Sequence, residues 1–119
     1  MIRKAGDAPR VSVEGLMNGK KSVDFLDVLT VSELNGHGRK YAMVTLEPGA
    51  SIGYHQHKNE SESYFILSGR ARCCDNGTDV ILEPGDMECC LNGCGHDIEN
   101  IGTEPLVFMA LIMFDEQKR

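Results

Sequence analysis

The chain has no apolar stretch near the ~20 residues that a membrane-spanning helix needs, so no bilayer span is expected. Positive charge in the form that nucleic acids and anionic membranes select is also missing. No run of Lys and Arg exceeds two, and 18 acidic residues outnumber 12 basic ones for a net charge of −6. A chain of that sign repels both partners, and neither is expected. The start Met-Ile-Arg-Lys-Ala-Gly lacks the apolar segment of a secretory signal, which makes a cytoplasmic location the expectation. Runs of helical period are absent as well; residues 30–34 offer one short turn, with Thr30 or Ser32 as its cap.

Cysteine gives no disulfide framework. Cys73, Cys74, Cys89, Cys90 and Cys94 are odd in number and include two adjacent pairs, which suits thiols filling strand positions in a reducing compartment. Cys90 and Cys94 could form part of a second metal site. No second closely spaced pair faces them, so core packing is the stronger reading.

What the chain does have is punctuation. Its 13 glycines, with Pro-Gly and Asn-Gly pairs, cut it into short apolar runs, the pattern of an all-β domain. The expected strands are residues 22–29, 40–46, 51–57, 62–68, 70–75, 79–82, 87–91, 96–100 and 106–114. Asp75-Asn76-Gly77 between two such runs predicts a tight antiparallel hairpin, because Asn and Gly tolerate positive φ. Leu-Glu-Pro-Gly occurs at 46–49 and again at 82–85, an echo that fits a barrel of two similar β-motifs. With 119 residues and 41% apolar content, one domain with one core is expected. Residues 1–14 read as an N-terminal arm that could add a strand to a partner subunit, and residues 40–114 as the barrel core. A barrel of this size buries a modest share of its surface alone, so a homodimer is expected.

Of the four histidines, three fall in two punctuated segments together with a carboxylate. His55 and His57 are one residue apart, so on a strand of period two they point to the same face and can reach one ion. Glu62, an odd five residues past His57, would face the other way on a straight strand. The polar stretch 58–61 breaks that strand and lets Glu62 re-enter facing inward, with Tyr64 and Ile66 on the same face. His96 arrives from another hairpin, after Gly93-Cys94-Gly95. His37, in a polar turn, is expected in solvent, and Asn100 is expected to hold backbone.

These residues resemble the cupin superfamily. Its first motif runs glycine, five residues, His-x-His, four residues, Glu, six residues, glycine, and Gly49, His55, His57, Glu62 and Gly69 match at every spacing. Its second motif is matched by Gly85, Gly93, His96 and Asn100, with Leu91 where the family usually has proline. The resemblance implies a double-stranded β-helix, a jelly-roll-like barrel, in which His55, His57, Glu62 and His96 bind one divalent transition metal. The run Pro-Gly-Ala-Ser-Ile-Gly-Tyr-His-Gln-His is similar to small single-domain bacterial cupins of the oxalate-decarboxylase-like or oxalate-binding type.

Three neutral imidazoles and one carboxylate around a divalent ion leave a net charge of about +1 and, in an octahedral shell, two open positions. Manganese or iron suits that mixed set; zinc would suit a closed four-coordinate site, and nickel or cobalt also fits. A small oxygen anion would complete the shell. The expected activity is that of a small metalloenzyme acting on a carboxylate- or enolate-type molecule, in the manner of a decarboxylase, dioxygenase or isomerase. The alternatives are a binding protein that holds an oxalate-like ligand without turnover and a barrel that the metal merely staples. A decarboxylase needs a proton donor; Glu60 and Glu88 are candidates, although carboxylates in such positions are more often solvated. Met43, Tyr64, Ile66 and Phe108 are the expected pocket lining.

Overall fold

The last strand explains the fold in miniature. Leu106, Phe108, Ala110 and Ile112 are buried while Val107, Met109 and Leu111 between them are partly open, the alternation that a sheet with one inward face imposes. The computed structural model describes residues 1–116. Its strands are β1 (Arg10–Glu14), β2 (Ser22–Leu29), β3 (Gly38–Leu46), β4 (Ser51–Gln56), β5 (Glu60–Ser68), β6 (Ala71–Asp75), β7 (Thr78–Leu82), β8 (Met87–Cys90), β9 (Gly95–Asn100) and β10 (Leu106–Phe114). Two single turns of 3₁₀ helix, Ala5–Asp7 and Leu16–Asn18, complete the regular structure.

The strands form two sheets, in the orders β1-β2-β3-β10-β5-β8 and β4-β9-β6-β7, with every pairing antiparallel. This is the double-stranded β-helix expected from the sequence. The inward faces enclose one apolar cluster built on Val44, Leu46, Ile66, Ile98, Leu106 and Phe108. Each such side chain, fully removed from water, contributes about 1.5–3 kcal/mol.

Turn chemistry sets the connections. The repeated Leu-Glu-Pro-Gly makes the same turn twice: the Ala50 N–H donates to Glu47 O and the Asp86 N–H to Glu83 O, both at 2.9 Å. Gly49 and Gly85, at φ 84° and 93°, occupy the position of a type II turn that requires positive φ. Asn76 and Gly77 (φ 48° and 97°) close the hairpin between β6 and β7 in register Asp75↔Thr78, as the sequence predicts. The turn at residues 30–34 is held by reciprocal bonds, Thr30 N–H to Glu33 Oε1 and Glu33 N–H to Thr30 Oγ1, a capping box around a turn too short to become a helix.

The end of the N-terminal arm forms a strand at the edge of this chain's sheet: β1 pairs along β2 from Arg10↔Leu26 to Glu14↔Ser22. The left-handed Gly15, Met17 and Asn18 (φ 67°, 54° and 62°) turn the chain back so tightly that β1 meets its neighbour locally.

Candidate metal centre

Strand pairing brings the histidines together. His55 on β4 lies directly opposite His96 on β9, past an irregularity that follows Ile52↔Ile98, so their side chains share the inward face. His57 lies just beyond β4, where its N–H donates to Cys94 O at 3.0 Å and its carbonyl accepts from the Gly93 N–H at 2.8 Å. The strand break expected at 58–61 is shorter than that. Asn59 alone takes a left-handed conformation (φ 61°), its N–H held by Asn92 Oδ1 at 2.8 Å, and β5 starts at Glu60. Glu60 and Glu62, two residues apart, are therefore both buried.

The four side chains converge on one point. The Nε2 atoms of His55, His57 and His96 lie 3.4, 3.0 and 3.0 Å from Glu62 Oε1, and all four ligand atoms fall within 4.8 Å of one another. His96 is fully buried, His57 and Glu62 nearly so, and His55 is the most open of the set.

The far side of each imidazole is tied to an acceptor. His55 Nδ1 lies 2.8 Å from Gly53 O, His57 Nδ1 2.6 Å from Glu60 Oε2, and His96 Nδ1 2.9 and 3.1 Å from the two Glu88 oxygens. A carbonyl and two carboxylates can only accept when ionised, so each Nδ1 carries the proton and donates it. Once any second proton is displaced, each Nε2 directs a lone pair at the common point, and the Nε2 atoms of His57 and His96 are 3.1 Å apart. Two lone pairs at that distance repel unless a proton or a cation lies between them. The donor set fits a divalent cation, with the outer carboxylates fixing the tautomers.

Electrostatics agree with that arrangement. Burial would push Glu62 up, but its bonds to His55, His57 and His96 hold it well below the usual carboxylate range. Burial likewise works to lower His96, yet Glu62 and Glu88 outweigh it and raise the imidazole to about 9. His57 is raised chiefly by its bond to Glu62. Without a metal the centre thus keeps protons that a cation would displace.

Glu60 and Glu88, expected to be solvated, are buried instead. Glu60 is clasped by Arg39 through Nε and Nη2, both at 2.8 Å, which lowers its pKa and makes a chain Arg39–Glu60–His57. Glu88 is opposite Tyr64 in the β5–β8 register, and burial raises its carboxyl against the pull of His96. The clue was the spacing of Glu60, which shares a strand face with Glu62.

A cavity of about 240 Å3 opens over the centre, and His55, His57, Glu62 and Tyr64 all border it. Of the expected lining, only Tyr64 is there: its ring stacks on His96 with centroids 4.6 Å apart and planes 2° from parallel. Ile66 and Phe108 are sealed in the core. Met43 falls on the opposite face of β3 from Val44 and lines a separate groove with Arg10, Ser12 and Asp24. All five cysteines are free thiols; Cys90 groups with Glu88 and His96 in a second set of possible ligand atoms, although His96 Nδ1 bonds to Glu88 and His96 Nε2 faces Glu62. His37 is exposed, and Asn100 holds backbone through Leu46 O and Glu104 O at 2.9 and 2.8 Å, both as expected.

Comparison with known proteins places this architecture. A model of the cupin domain matches residues 42–112. The chain belongs to the cupin family. Among its relatives is an oxalate-binding protein of Thermotoga maritima, 33% identical over 95% of this chain and 93% of its own. An oxalate decarboxylase of Bacillus subtilis is 38% identical over 62% of this cupin, a match that spans only 20% of the decarboxylase. A crystal structure of a predicted oxalate decarboxylase from Thermotoga maritima superposes with a TM-score of 0.90 at 32% identity, covering 96% of this cupin and 99% of that chain. No helix among the described residues is long and apolar enough to cross a membrane.

Proposed function

We propose that this cupin holds a small carboxylate- or enolate-type anion on one divalent transition metal, manganese or iron, and turns it over as a small metalloenzyme. The observation that carries the reading is the convergence of three Nε2 lone pairs and Glu62 Oε1 at the floor of an open cavity. His55, His57, Glu62 and His96 would hold the ion. When bound, it would supply a Lewis acid that binds and polarises the anion's oxygens. Glu60 and Glu88 orient two of the imidazoles, and the apolar walls keep water away from the head of the ligand.

The same geometry ranks the reactions. A decarboxylase needs an acid with a proton to give, but Glu60 and Glu88 are engaged with imidazole N–H groups, and burial holds the Tyr64 proton tightly. Dioxygenase- or isomerase-like chemistry asks less of the side chains. The commitment of both carboxylates, with the name of the Thermotoga relative, also favours a second reading: a metal-dependent binding protein for an oxalate-like anion. The cytoplasmic location and the homodimer belong to both readings.

The test is to load the protein with manganese or iron and supply oxalate and other small carboxylates in substrate excess, following product and oxygen uptake. Many turnovers per chain support the enzyme. Saturable binding with no product supports the binding protein, and neither binding nor product sinks both.

A further inference from the structure

The cavity is more apolar than a two-carbon dianion calls for. Its volume of about 240 Å3 compares with ~30 Å3 for one molecule of liquid water. Phe25, Val44, Ile52 and Ile112 wall it, and the half-exposed Val11 and Met17 border it. Oxalate has no hydrocarbon to set against these side chains.

The cations beside the cavity are already engaged. Arg39 is bound by both oxygens of Glu60, and Lys40 lies 3.5 Å from Asp27 and 4.6 Å above the Phe25 ring. Among the described residues, the wall therefore offers no free positive charge to a second carboxylate, and an unpaired one is costly to bury. Tyr64 borders the cavity with its ring stacked on His96, and its hydroxyl is sealed from solvent beside Glu62.

We propose that the ligand is a monocarboxylic 2-oxo or 2-hydroxy acid with a hydrocarbon body. Its oxygen head lies at the candidate ligands, and its body lies along Phe25, Ile52 and Met17. This rests on the metal-carboxylate reading above and narrows its substrate class.

The experiment is calorimetric titration of the manganese-loaded protein with oxalate, pyruvate, 2-oxobutanoate, 2-oxopentanoate and 2-oxohexanoate. Kd should fall about fourfold for each added methylene, and the longest acid should bind more tightly than oxalate. Tightest binding by oxalate, or a Kd that does not fall with chain length, overturns the narrower proposal and leaves the metal-carboxylate reading standing. Binding of no acid at all by protein that carries its metal overturns both. One variant locates the contacts. Met17→Glu, at a half-exposed position, should shrink the gain per methylene; an undiminished gain in folded protein would put the hydrocarbon elsewhere.

Discussion

The inward face of this barrel has two halves of opposite character. One is apolar and closed, with Leu46, Ile98, Leu106 and Phe108 out of reach of water. The other is filled by three histidines and three glutamates that answer one another's polar groups. The first half stabilises the fold. The second costs desolvation and leaves lone pairs crowded together, an arrangement that makes physical sense when a cation receives them.

If that division is right, substitutions in the two halves should fail in different ways. Phe108→Ala should have the largest effect on stability, a loss of about 3–5 kcal/mol seen in urea denaturation, while the folded fraction keeps its metal. Glu88→Gln should reverse that pattern. Metal affinity should drop about 10–100-fold by competition with a chelator, because His96 Nδ1–H loses its charged acceptor and a glutamine oxygen accepts more weakly, with a smaller change in the unfolding midpoint.

The pH response should also separate stability from metal binding. His96 is raised from 6.5 to about 9 in the metal-free protein, so its contribution to stability is complete below 6.5 and is lost as pH rises through about 9. Metal must displace that proton, so affinity should climb about tenfold per pH unit for each proton released over the same interval. Opposite slopes in metal-free unfolding and in metal titration would bear this out; parallel slopes would contradict it. The smallest effect lies far from the centre, at the half-buried Arg3–Glu33 pair. Arg3 holds the Glu33 carboxyl down from 4.5 to about 2, so its slight stabilisation should fade as pH falls across that range and vanish in Glu33→Gln.

The candidate ligands were legible because a period of two puts His55 and His57 on one face whatever the rest of the fold does. The strands were legible from their turns, and β10 runs over the residues expected. What could not be read depends on register between strands distant in sequence. Glu88 looks like any solvated carboxylate until β8 pairs with β5 and sets it opposite Tyr64, beside His96. Met43 and Val44 are both apolar neighbours, and only the packed sheet decides that Val44 faces inward. The short strand β1 carries too few apolar residues to announce itself, and it becomes a strand by pairing with β2.

The most direct measurement is the metal content of the protein purified without chelators, by elemental mass spectrometry, beside the variants His57→Ala and His37→Ala. About one manganese or iron per chain is expected, lost in His57→Ala and kept in His37→Ala, whose imidazole is exposed and outside the centre. Folded wild-type protein that carries no metal and takes none up on titration would contradict the metal centre.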